Sequence, residues 1–261
     1  MGRDILDLPA PAADARFAYG KDPNQFGELR LPKSAGPFPV LVSIHGGFWR
    51  ASYGLDHMGH ACAALAQSGI ASWNFEYRRV GQPGGGYPGT QDDGLAALQY
   101  LATLAASHPL DLKRVAVFGF SAGGHLALWL ASRPRPIALQ GAVSLAGVAD
   151  LRRAWEMRLG SGAVDDYIGG PPAQYPDRYR AASPIELLPG GGKTRLVHGT
   201  KDTTVPIEIS ERFAKGASAA GLDAKLLTLP GADHFPGMDP RDPEWKITEG
   251  AILEILGVQR K

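Results

Sequence analysis

The sequence predicts an α/β fold: a mostly parallel central sheet with helices on both faces. Two observations carry this. Short apolar runs alternate with longer helix-patterned stretches along nearly the whole chain, the pattern of strands joined by helical crossovers. The length, 261 residues, suits a single sheet of this kind, and no internal repeat, heptad array or long linker divides it. Residues 1–261 therefore read as one domain.

Taken in order, residues 16–19 and 28–31 read as antiparallel edge strands. Residues 40–44 form a buried strand and 56–67 a helix. Residues 70–77 make the next strand, followed by a Gly/Pro-rich loop at 81–89. Thr90 and Asp93 form a capping box for a helix running to Ala105. A strand at 114–120 leads into a helix at 122–132, and 140–146 is again a strand. Beyond lie a strand at 194–198, a helix at 206–220, a strand at 225–229 and a closing helix at 243–256. Residues 148–189 break the rhythm, with Trp155, Met157, Tyr167, Tyr175 and Tyr179 scattered among Arg, Gly and Pro. That stretch is too irregular for a sheet unit and too apolar for a linker, so it reads as a small lid-like insertion.

Composition narrows the partners. Lys plus Arg total 27 against 26 for Asp plus Glu, with no like-charge block, so neither nucleic acid nor an anionic membrane is expected. No apolar run approaches the ~20 residues that cross a bilayer. The first residues carry acids and no apolar core, unlike a secretory signal. The only cysteine, Cys62, forms no internal disulfide and is expected to pack as a small hydrophobe. A cytoplasmic protein, free to form homo-oligomers, is the expectation.

Two glycine-rich stretches imitate nucleotide loops. Gly84-Gly85-Gly86-Tyr87-Pro88-Gly89 matches G-x-G-x-x-G, yet Pro88 removes an N–H where a pyrophosphate needs donors, and no acid ends the next strand. Gly192-Lys193-Thr194 looks like the tail of a P-loop, but Leu187 stands where its first glycine belongs and a strand follows. Neither implies a cofactor, and no cluster has metal-ligand spacing.

Gly119-Phe120-Ser121-Ala122-Gly123 fits G-x-S-x-G at a strand–helix join. There a nucleophile elbow strains the serine backbone and lifts Oγ clear of the sheet, and the flanking positions admit only glycine. His45-Gly46-Gly47-Phe48-Trp49 follows the strand at 40–44. Its glycines let the backbone approach a developing oxyanion, with Gly46, Gly47, Phe48 and Ala122 as the oxyanion-hole candidates. His45 is expected to brace that loop. Asp202 lies on the loop after the strand at 194–198, where an α/β sheet places its site. Asp150 is the rival acid, although it can instead cap a short helix. His234 follows the last strand and gives the order Ser121, Asp202, His234. Of the other six histidines, His57 and His60 read as a solvated helix face and His108 as a surface turn. His125 lies inside the elbow helix, and His198 is at a strand end. None has the required order and place.

Together, the HGGFW stretch, the GFSAGG elbow, Glu76-Tyr77-Arg78-Arg79 with the GGGYPG loop, HGTKDTTVP and GADH resemble the bacterial esterase/lipase branch of the α/β hydrolases. Kynurenine formamidase-like and feruloyl-esterase-like members belong to that branch, and the likeness covers roughly residues 25 to 255. The resemblance implies a cofactor-free acyl hydrolase with Ser121, Asp202 and His234 as its triad. Residues 148–189 carry nothing diagnostic of the substrate. The aromatics Trp49, Tyr87, Trp155 and Phe235 are candidates for a narrow pocket that takes small acyl esters. An aryl formamide hydrolase is the runner-up. A non-catalytic receptor on the same fold is the competitor from another class, and a prolyl-oligopeptidase-like peptidase lacks room for its extra domain.

Overall fold

A computed structural model describes residues 5–135, 137–190 and 192–259. Its centre is an eight-stranded sheet: β1 (Ala15–Ala18), β2 (Phe26–Arg30), β3 (Phe38–Ile44), β4 (Ala71–Phe75), β5 (Leu110–Phe120), β6 (Gly141–Leu145), β7 (Lys193–Gly199) and β8 (Ala224–Leu229). The order across the sheet is β1-β2-β4-β3-β5-β6-β7-β8. The β1–β2 and β2–β4 pairs are antiparallel, and every other pair is parallel.

Successive side chains of a strand point to opposite faces, and this alternation divides the core in two. Val40, Val42, Ile44, Val115, Val117, Ala142 and Leu196 face one side. There they meet α2 (Gly89–Ala105), α3 (Ala122–Ser132) and α7 (Glu208–Ala219). Leu41, Ala116, Phe118, Phe120, Val143, Leu145 and Val197 face the other. They meet α1 (Gly59–Gln67) and α8 (Trp245–Leu256). Among the described residues no helix is long and apolar enough to cross a membrane. Cys62 is buried and unpaired.

Three local expectations are corrected. The helix expected at 56–67 is divided into a 3-10 turn, Leu55–Met58, and α1. His57 is therefore buried in the turn rather than set on a solvated helix face. Thr90 and Asp93 do not form a capping box, because α2 starts at Gly89 with no side-chain cap. Thr90 Oγ1 instead accepts from the Gly86 N–H and donates to the Arg78 carbonyl, while Asp93 is buried against the Arg78 guanidinium. The GGGYPG loop is packed on its own backbone. A Cβ on Gly85 would lie 1.8 Å from the Arg79 oxygen, and one on Gly89 1.8 Å from the Gly84 oxygen. Those glycines serve close packing.

The segment 148–189 forms three short helices, α4 (Leu151–Glu156), α5 (Leu159–Ile168) and α6 (Pro176–Ala182), then a 3-10 turn, Pro184–Leu187. Val164, Tyr167, Ile168 and Tyr179 are buried in the core cluster on the α2/α3 side.

Candidate active site

Ser121 stands between β5 and α3 with φ 55° and ψ −119°, a strained conformation that a well-packed surround must hold. A Cβ on Gly119 would lie 2.0 Å from the Gly123 oxygen, and one on Gly123 2.1 Å from the Ile44 oxygen. The turn is thus seated directly on the end of β3. The Ser121 N–H donates to the Leu145 carbonyl at 2.8 Å and anchors the elbow to β6.

The loop after β3 reaches the serine. A Cβ on Gly46 would come within 2.9 Å of the Ser121 Cβ. Gly47, Phe48 and Trp49 all have positive φ, at 112°, 51° and 58°, which two non-glycine residues adopt only at a cost. The strain is held from behind. His45 Nε2 lies 2.7 Å from Glu76 Oε1, its ring stacks on Tyr77 at 4.3 Å, and the Tyr77 hydroxyl donates to the His45 carbonyl. Burial opposes charge on Glu76, but His45 and Arg79 outweigh it and hold the carboxyl below its ordinary value. Trp49 stacks on Tyr167 of α5 at 4.4 Å and donates from Nε1 to His125 Nδ1. The segment 148–189 thereby clamps the loop from behind. Among the described residues, the N–H groups of Gly47, Phe48 and Ala122 have no protein acceptor.

Asp202 and His234 meet on the loops that follow β7 and β8. His234 Nδ1–H donates to Asp202 Oδ2 at 2.7 Å. Asp202 Oδ1 accepts from the N–H groups of Thr204 and Val205, and His198 Nε2 lies 3.3 Å from Oδ2. Burial raises the Asp202 pKa, but the hydrogen bonds from His198 and His234 outweigh it and hold the group well below the carboxylate range. The two loops are close enough to meet because position 199 is glycine: a Cβ there would lie 2.2 Å from the Asp233 oxygen.

Ser121 and His234 line one small cavity of about 70 Å³, together with Leu6, Gly47, Phe48, Tyr53, His57, Phe120, Thr204 and Phe235. Larger depressions, about 500 Å³ beside Arg30 and Lys33 and about 830 Å³ beside Pro240 and Trp245, bring no histidine to a serine. Of the four aromatic pocket candidates, only Phe235 lines the cavity. Trp49 is corrected outright: it is fully buried, because stacking on Tyr167 draws its ring away from the cavity. Tyr87 donates its N–H to the Tyr167 carbonyl, and Trp155 Nε1 donates to Asp165. Both are outside the lining, as is every residue of 148–189. Asp150 caps α4 through the Arg153 N–H and pairs with Arg212, so neither oxygen is committed to His234.

Sequence reasoning missed Tyr53 and His57. The Gly46 N–H donates to His57 Nε2 at 3.4 Å, and burial, with His45 adding to it, depresses the His57 pKa to about 3. Arg79 donates to the Tyr53 carbonyl and fixes that turn. Position after the HGG loop was the only available signal.

The sequence matches the BD-FAE family over residues 28–216, more than half of the chain. The chain belongs to the BD-FAE family. Among curated relatives, the esterase LipC of Mycobacterium tuberculosis is 27% identical over 246 residues, covering 84% of this chain and 59% of that protein. Versiconal hemiacetal acetate esterase of Dothistroma septosporum is 26% identical over 218 residues, covering 81% and 56%. This BD-FAE chain spans little more than half the length of those relatives. Solved structures share its fold, which is the α/β-hydrolase fold. A truncated carbohydrate esterase from gut microbiota matches with a TM-score of 0.82 at 21% identity, covering 95% of this chain and 99% of that one. The propionate-bound esterase Est2 of Thermogutta terrifontis matches with a TM-score of 0.74 at 23% identity over 93% of each chain.

Proposed function

We propose that this chain is a serine carboxylic-ester hydrolase acting on esters of small acyl groups. One observation carries the reading: a strained, cavity-facing serine shares about 70 Å³ with a histidine whose far nitrogen is hydrogen-bonded to an ionised aspartate. Curated relatives named as esterases support it.

In this mechanism Ser121 Oγ attacks the ester carbonyl while His234 Nε2 takes its proton. Asp202 holds the proton on Nδ1, so that Nε2 presents its lone pair, and it stabilises the imidazolium that forms. The N–H groups of Phe48, Gly47 and Ala122 meet the oxyanion, and the start of α3 adds its positive dipole end. His234 then protonates the departing alcohol, leaving an acyl-enzyme. Water, deprotonated by His234, attacks that ester, and the serine leaves with its proton restored. No step needs a metal or a cofactor.

Nitrophenyl esters of increasing acyl length test the substrate class. Acetate and butyrate are expected to be turned over in preference to chains of twelve carbons or more. A maximum at twelve carbons or beyond would replace the small-acyl reading by a lipase one, and faster cleavage of an aryl formamide than of any ester would assign an amidase.

A further inference from the structure

Among the residues of the cavity beside Ser121 to which the mechanism gives no task, one is aliphatic. It is Leu6, from the segment ahead of β1, remote in sequence from all the loops that carry the chemistry. Its neighbour Ile5 is fully buried in the core cluster that holds Met58, Met238 and Trp245. That anchor fixes the backbone at residue 5, so the half-buried Leu6 meets the cavity from a held position rather than from a loose strand of chain. Most of the remaining lining is already committed. Gly47 and Phe48 belong to the oxyanion loop, Phe120 to the elbow, and His57 holds the Gly46 N–H. Tyr53 and Phe235 stand beside them as rigid rings. Leu6 is the aliphatic wall, and the space it limits is small.

We propose that Leu6 is a specificity-determining residue: it closes the end of the cavity that receives the acyl chain and so limits the length of acid that is processed. The proposal rests on the acyl-hydrolase reading above. An acetyl or butyryl group ends against the leucine, whereas a longer chain must displace it. Each methylene accepted or refused in such a pocket changes kcat/KM by about 10–200-fold.

The test uses the Leu6→Ala and Leu6→Phe variants of this chain on two substrate series, one varying the acid at constant alcohol and one varying the alcohol at constant acid. Leu6→Ala is expected to raise the octanoate-to-acetate ratio of kcat/KM at least tenfold, and Leu6→Phe to lower the butyrate-to-acetate ratio. Relative rates along the alcohol series stay as in the wild type. An unchanged acid profile in both variants, or a change confined to the alcohol series, overturns the proposal. A wild type that cleaves no ester overturns the reaction class instead, and pocket shape is then read from the relative rates at which short and long alkylphosphonyl fluorides modify Ser121. A ratio that Leu6→Ala leaves unmoved, or the absence of modification, overturns the Leu6 assignment.

Discussion

Asp202 and Asp150 occupy similar places in the sequence, each a few residues beyond a strand, and differ in what their oxygens meet. Asp202 has one oxygen on two backbone N–H groups and the other on His234. Asp150 has one on the first turn of α4 and the other on Arg212. Asp202→Asn is expected to lower kcat by about 10³–10⁴, since an amide favours the wrong imidazole tautomer, and Asp150→Asn to change it less than tenfold. Steady-state kinetics of the two variants decide, and reversed results would move the acid role to Asp150. The placement of Ser121, His234 and the glycines beyond strand ends was legible because the apolar run before each is followed by glycine-containing sequence. His57 was not. A histidine in a short turn next to a helix carries no mark of burial, and only the fold, by setting it under Gly46, reveals its environment. Trp49 misled for the opposite reason, since adjacency to Gly46 and Gly47 says nothing about the direction in which a positive-φ backbone throws the next ring.

At the scale of elements, sheet and helices were read well because short apolar runs and longer helix-patterned stretches alternate regularly along the chain. Boundaries slipped where local chemistry competed: Thr90 and Asp93 were drawn off to Arg78 and its neighbours. Segment 148–189, read as a lid-like insertion, packs against the HGG loop through Trp49 and reaches Phe48 through Gly160, where a Cβ would lie 2.8 Å from the ring. No periodicity predicts such a docking. The elbow gives the sharpest prediction at this scale. Gly123→Ala is expected to cut activity more than tenfold and lower the melting temperature, because the new methyl would collide with the end of β3. Gly250→Ala in α8 meets nothing within 4 Å. It should gain up to about 1 kcal/mol from helix propensity and leave turnover as it was. Paired thermal melts and kinetics check both; a harmless Gly123→Ala would mean that the elbow does not rest on β3.

At the scale of the whole molecule, two buried imidazoles, His57 and His125, make stability depend on pH. Burial depresses His57 to about 3 and His125 to about 4, the latter against a hydrogen bond to the Ala182 carbonyl. In the unfolded chain both titrate near 6.5. Between about pH 6.5 and 4 the unfolded chain therefore binds more protons than the folded one, so stability is complete above that window and falls as the pH drops through it. Asp202 adds a loss only at lower pH, because its contribution is present above about 3.9 and disappears as the depressed carboxyl protonates. The melting temperature is expected to fall by several degrees, roughly 5 °C, between pH 7 and pH 5. Calorimetry across that range would contradict the account if the melting temperature were flat.

The central claim is that Ser121 is the nucleophile, and covalent modification followed by peptide mapping tests it most directly. A fluorophosphonate is expected to add once per chain, on Ser121, and to abolish nitrophenyl acetate hydrolysis in step with its incorporation. Ser121→Ala should fold normally, take up no label and lose on the order of 10⁶ in kcat, as triad serines do elsewhere. Label on another residue, or a Ser121→Ala variant that turns over at the wild-type rate, would contradict the account.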